Sequence, residues 1–166
     1  ISTGIFKEPV ALPVNVGRLN LEGDGQADLT VHGGADKAVY GYAAEHYAPW
    51  KAELGRQDLP WGMFGENLTI EGGLLEDEVF VGDRFRIGTA EILAVQPRLP
   101  CFKLGIRFGT QSIVKKFAEA GRYGVYFRVL KEGQGCVNDD AEKIGETKSM
   151  ISIRDLGRRL QRGRAH

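Results

Sequence analysis

Glycine punctuates this chain from end to end: 23 of its 166 residues are glycine. So many glycines favour turns and bulges, some needing positive φ, and the stretches between them are short. Most of those stretches read as strands. Phe85, Ile87, Ala90, Ile92 and Ala94 alternate around Gly88-Thr89, as a β-hairpin requires. Residues 14–21 alternate through Val14, Val16, Leu19 and Leu21, and Gly17 predicts a bulge. Strands are also expected at residues 1–6, 124–130 and 149–153, with a turn leading into one at 63–70. Residues 74–81 carry acidic side chains and read as a strand edge at the surface.

Helical spacing is rarer. Tyr40, Ala43, Ala44, Tyr47, Trp50 and Leu54 predict a helix over residues 38–54, with Tyr40, Tyr47 and Trp50 in the core. Residues 112–120 predict a short amphipathic helix, and residues 155–164 a basic one. Short strands with few helices indicate a mainly β fold, a closed or nearly closed β-barrel with helices at its side.

The length suits one domain around one core. Net charge is zero at pH 7, so nothing points to nucleic acid or an acidic membrane surface. No apolar run reaches the roughly 18 residues of a membrane span. Two cysteines, Cys101 and Cys136, are too few for a disulfide scaffold, and a reducing, cytoplasmic setting is expected. No signal peptide is visible. Residues 22–28 resemble a calcium loop, but Ala35 stands where the twelfth ligand belongs, so calcium is rejected. Neither a GxGxxG nor a P-loop is present.

The stretch Gln96-Pro97-Arg98-Leu99-Pro100-Cys101-Phe102-Lys103 carries the strongest chemical signal. Two prolines stiffen it and bias it towards extended backbone. It presents Cys101 between Arg98 and Lys103, and positive charge nearby favours the thiolate, which is both nucleophile and metal ligand. A lone cysteine is also often a small buried hydrophobe. Cys136 has no basic flank and reads as structural.

A second signal is His32-Gly33-Gly34-Ala35-Asp36-Lys37. Gly33 and Gly34 let backbone approach a ligand, and the expected helix start offers N–H groups to an anion, with Lys37 adding a cation. The same motif also fits a plain tight turn. Asn67 can hydrogen-bond a polar ligand or its own turn, and Glu66 reads as a structural acceptor.

Taken in order, six short motifs resemble the MOSC domain family, named for the C-terminal domain of molybdenum-cofactor sulfurase. They are Gly23-Asp24 with Asp28, the His32–Ala38 loop, and Tyr42 with Glu45-His46-Tyr47 and Trp50. They continue with Phe64-Gly65-Glu66-Asn67-Leu68, with Gly82-Asp83, and with Gln96-Pro97-Arg98, Pro100-Cys101 and Lys103-Leu104. Within the family the closest likeness is to YiiM-type proteins, over about residues 1–153.

The resemblance implies a barrel like the one inserted in pyruvate kinase, and a molybdenum cofactor held by its pyranopterin dithiolene and by Cys101. It implies reduction of N-hydroxylated substrates such as N-hydroxylated purine bases, with electrons from a separate donor protein. Residue chemistry then assigns Gly33, Gly34, Lys37, Asn67, Arg98 and Lys103 to the cofactor and His32 to proton donation. Sulfur carriage, with a persulfide on Cys101, is the alternative. Residues 1–154 form the expected barrel domain. Residues 155–166 form a basic helix or the start of a longer helical extension.

Overall fold

The computed structural model describes residues 5–24 and 33–164. Among the described residues, eight strands form two sheets. β1 (Val14–Val16) pairs antiparallel with β7 (Gly133–Gly135). The six-stranded sheet contains β2 (Val39–Ala43), β3 (Leu68–Ile70), β4 (Arg84–Ile87), β5 (Ala90–Pro97), β6 (Val125–Lys131) and β8 (Ala141–Gly145), in the order β3-β2-β6-β5-β4-β8. Only β2 and β3 run parallel; the other pairs are antiparallel. The helices described beside the curled sheet are α1 (Tyr47–Leu54), α2 (Phe102–Phe108), α3 (Ser112–Ala120) and α4 (Ile153–Arg164). The fold is mainly β with a few helices, as expected.

Strand β2 divides two hydrophobic cores. Side chains alternate across a strand. Val39 and Ala43 enter one core with Phe85, Ile92, Phe127 and Ile153, between the sheet and α4. Tyr40 and Tyr42 enter the other, with Tyr47, Trp50, Phe64, Leu104, Ile113 and Phe117, between the sheet and α1–α3. Both faces of β2 are therefore buried, and all five of its residues are inaccessible.

That burial explains the main correction. The helix expected over residues 38–54 is a strand, Val39–Ala43, then one 3-10 turn, then α1 from Tyr47. A run buried on both faces carries no polar alternation, so its spacing matches a helix as well as a strand. Here the β-branched and aromatic residues settle into pairing with β6 and β3. Tyr40, Tyr47 and Trp50 are core, as predicted.

Smaller corrections have similar causes. Residues 14–21 are not one bulged strand: Gly17 N–H closes a turn on Asn20 O at 2.9 Å, and Val16 then bridges Leu21. Residues 74–81 are not a surface edge, because Glu76 is fully buried. Residues 149–153 contribute only a bridge, Ser152 to Phe80, before α4 begins. Of the strand expected at residues 1–6, Ile5 and Phe6 lie in irregular backbone, and the rest falls outside the described residues.

Candidate functional site

Cys101 stands where β5 passes the chain to α2. β5 ends at Pro97, and Cys101 is still extended, at φ −137° and ψ 169°, as the residue that caps α2. No spacing signal in the chain marks α2, a helix of only seven residues. Cys101 is half-buried, and neither cysteine forms a disulfide.

Arg98 is 5% exposed and fixed from two sides. Its Nη1 donates to the carbonyl of Phe64, and its guanidinium lies 5.0 Å from the ring centroid of Tyr40. Burial works against its charge. The neighbouring Tyr40, Tyr126 and Cys101 outweigh that and push its basicity up, so Arg98 is a permanent cation beside the sulfur.

The loop that carries the Phe64 carbonyl is held in turn by a buried carboxylate. Glu66 accepts hydrogen bonds from Gly62 N at 3.0 Å, Phe64 N at 3.1 Å and Thr69 Oγ1 at 3.0 Å, and from the Tyr47 hydroxyl. Burial, then the charge of Glu66, raises the Tyr47 phenol far above its ordinary range, so it remains a donor. Glu66 is the structural acceptor that was expected. Gly65 lies inside this loop at φ +83°, where a Cβ would meet Ile5 Cγ1 at 3.0 Å and Arg98 Nη1 at 3.3 Å. Only glycine permits that approach.

Tyr126 joins Arg98 and Cys101, and the sequence did not single it out. On β6 it stands opposite Tyr40 of β2 and Gln96 of β5, beside the irregularity between Ala94 and Gln96. Its ring centroid is 5.2 Å from that of Tyr40, and Lys37 Nζ lies 5.9 Å from its own. It interacts electrostatically with Arg98, Cys101 and Asp24, and burial raises its phenol above the ordinary value. Within an alternating strand its only sequence signal is an aromatic with a polar tip, which usually means packing.

Asn67 ties the site to β2. Its Oδ1 accepts Tyr40 N at 2.8 Å, and its Nδ2 donates to Asp24 Oδ2 at 2.9 Å. Asp24 also pairs with Lys7, which brings residues before the first core strand into the wall of the site. Arg98, Cys101, Lys37 and Asn67 are thus gathered around Tyr40 and Tyr126. Lys103 is half-buried in the first turn of α2, joined to the group by chain position alone among the described residues. His32 lies outside the described residues.

Gly33 and Gly34 precede a single 3-10 turn, Ala35–Lys37, rather than the expected helix. Gly34 has φ +92°, and a Cβ there would meet nothing within 4 Å, so this backbone borders open space. Among the described residues no group of three or more His, Cys, Asp or Glu side chains can hold a metal ion. The donor set here is one soft thiol beside one buried cation. It fits a metal whose other ligands arrive with it in an anionic organic group, and does not form a cage for a bare ion.

The MOSC domain pattern matches residues 28–142. The chain belongs to the MOSC domain family. This MOSC protein is 46% identical over 158 residues to the uncharacterized protein YflK of Bacillus subtilis, an alignment spanning 95% of this chain and 71% of YflK. It is 37% identical over 142 residues to a Gibberella moniliformis protein named Reductase, over 84% of this chain and 25% of that protein. The crystal structure of YiiM from Geobacillus stearothermophilus matches it with a TM-score of 0.84 at 35% identity, covering 98% of this chain and 76% of that one. The chain is therefore YiiM-like in sequence and fold. Among the described residues no helix is long and apolar enough to cross a membrane.

Proposed function

We propose that this MOSC protein is a molybdenum-dependent oxidoreductase that reduces N-hydroxylated compounds, such as N-hydroxylated purine bases, with Cys101 as the thiolate ligand of a molybdenum cofactor. The observation that carries this reading is the electrostatic interaction of Cys101 with the buried cation Arg98 three residues before it, in a loop stiffened by two prolines. The Gibberella relative named Reductase supports the reaction class. When bound, the cofactor supplies the two-electron redox change.

The chain's own residues would bind and orient. Cys101 offers a soft donor, and Arg98 offsets negative charge that would otherwise accumulate at a buried site. Gly33, Gly34, Lys37, Asn67 and Lys103 would line the organic part of the cofactor, with the open backbone at Gly34 allowing close approach. His32 is assigned to proton donation, since N–O cleavage consumes protons. Electrons would come from a separate donor protein, and two cysteines outside any disulfide suit a reducing compartment such as the cytoplasm.

Elemental analysis of wild-type protein and Cys101→Ala, from a host that makes the cofactor, tests the assignment. The expected result is about one molybdenum per chain in the wild type and its loss in the variant, from single-site ligation. A variant that keeps its molybdenum overturns the ligand assignment. Wild-type protein without molybdenum, but with a cyanide-labile extra sulfur on Cys101 by mass spectrometry, overturns the reductase reading in favour of sulfur carriage.

A further inference from the structure

Three tyrosines around the site have fixed acceptors. Tyr40 donates to Tyr123 O at 2.7 Å, Tyr42 to Arg122 O at 3.0 Å, and Tyr47 to the Glu66 carboxylate. Each is buried, and each hydroxyl therefore has a structural reason to be there. Tyr126 differs. It is half-buried, and among the described residues its hydroxyl donates to no acceptor.

Its ring is nevertheless held firmly, between Tyr40 at 5.2 Å and the Lys37 ammonium at 5.9 Å. β6 fixes its backbone between β2 and β5, beside the register shift that precedes Arg98 and Cys101. Such irregularities re-aim side chains next to active sites. Packing accounts for the ring and leaves the oxygen unexplained: phenylalanine would fill the same space. A neutral donor, rigidly placed among Arg98, Cys101 and Asp24, suits an oxygen acceptor on a ligand.

We propose that Tyr126 is a substrate-contacting residue whose phenolic O–H donates to the N–OH oxygen of a substrate seated beside Cys101. The choice of substrate class rests on the reductase reading above. In that reaction an N-hydroxylated amidine, R–C(NH2)=N–OH, takes up two electrons and two protons and becomes R–C(NH2)=NH and water. The N–O bond breaks and nitrogen is reduced. The electrons come from an external one-electron reductant, two equivalents per turnover, and the protons from solvent. Tyr126 holds the oxygen that departs as water. It thereby distinguishes the hydroxylated substrate from its own product, which lacks that oxygen. Sites built to hydrogen-bond a substrate hydroxyl reject the analogue without it far more strongly than apolar pockets do.

The test compares benzamidoxime with benzamidine as ligands of wild-type protein and Tyr126→Phe. Protection of Cys101 against iodoacetamide is read by mass spectrometry on molybdenum-free protein, because bound metal would itself mask the thiolate. Turnover of benzamidoxime by the loaded proteins is followed with reduced methyl viologen.

In the wild type, benzamidoxime is expected to protect at lower concentration than benzamidine, an amidinium cation that Arg98 also disfavours. Tyr126→Phe is expected to shrink that preference about fivefold, the value of one net hydrogen bond. It should leave benzamidine protection and molybdenum content unchanged, and lower kcat/KM about tenfold, since the bond strengthens as the oxygen leaves. A merely structural role would weaken both ligands alike. A preference undiminished in Tyr126→Phe, or absent from the wild type, overturns the proposal. A loaded wild type that never reduces benzamidoxime overturns the reductase reading instead, while the protection comparison still decides whether Tyr126 reads the hydroxyl.

Discussion

Asn67 joins Asp24 to Tyr40, donating its amide nitrogen to the carboxylate at 2.9 Å and accepting the Tyr40 backbone N–H at 2.8 Å. One side chain thus fixes both the strand beneath the site and the acidic residue at its edge. Asn67→Ala removes both bonds and is expected to cost about 2 kcal/mol, because the Tyr40 N–H loses its acceptor. Asn67→Asp keeps that acceptor but sets a carboxyl against Asp24. Protonated, the new carboxyl still donates; ionised, it repels. Its stability deficit should therefore be larger at pH 7 than at about pH 3.5, just below the ordinary aspartate value, while the deficit of Asn67→Ala stays flat. Urea unfolding at the two pH values reads the difference.

A second buried carboxylate holds three elements together. Glu76 is fully buried, and both its oxygens lie 2.9 Å from His46 Nε2. Its Oε1 also accepts Gly124 N at 2.8 Å, at the start of β6, and its backbone oxygen accepts Arg154 N at 2.9 Å, at the start of α4. Glu76→Ala strands the His46 ring and the Gly124 N–H without partners. The expected loss is about 3 kcal/mol, a fall in Tm of roughly 6–12 °C for a chain this size. Glu76→Gln retains an acceptor for Gly124 and should lose less than half as much. Thermal melts of the two variants check the order.

The fold class was legible in the sequence because glycine spacing and the 84–97 hairpin are local signals, and the structure keeps that hairpin at β4 and β5. Strand β2 was not legible, since a run packed on both faces loses the alternation that marks a strand. At the site, Cys101 and Arg98 could be picked out because prolines and charge mark their loop. Tyr126 could not, and Asp24, though part of the first motif, could not be placed beside Asn67. Tyr126 reaches Cys101 only through the pairing of β6 with β5, and Asp24 reaches Asn67 across 43 positions of sequence. Spacing within one segment carries no information about either contact.

Asp83 contributes stability that depends on its charge. It is 1% exposed and accepts Phe80 N at 2.9 Å and Thr147 N at 3.1 Å, with Lys143 Nζ at 2.9 Å. Burial alone would raise its carboxyl, but the Phe80 and Thr147 N–H groups and Lys143 outweigh it and hold the value below the ordinary one. A depressed carboxyl contributes stability above its unfolded value, near 3.9, and loses it as pH falls through the folded value. Asp83→Asn should be about 2 kcal/mol less stable at pH 7, and the gap should close below about pH 4. Chemical denaturation from pH 7 down to pH 3 checks it; a gap constant across that range counts against a charged role.

Gly65 and Gly34 separate backbone strain from crowding at the site. Both lie at positive φ, +83° and +92°. At Gly34 (φ +92°, ψ 169°) an added Cβ meets nothing within 4 Å, so Gly34→Ala carries only the backbone cost of an essentially glycine-only conformation, about 2 kcal/mol. At Gly65 the same Cβ presses on Ile5 Cγ1 and on Arg98 Nη1. The Arg98 guanidinium cannot yield without leaving the Phe64 carbonyl or the Tyr40 ring. Gly65→Ala is therefore expected to cost about 2 kcal/mol, a fall in Tm of roughly 4–8 °C. It should also slow alkylation of Cys101 at pH 7 several-fold, because the displaced cation no longer supports the thiolate. Gly34→Ala should leave that rate unchanged. Equal slowing in the two variants would mean that backbone strain, and not the position of Arg98, governs the reactivity of Cys101.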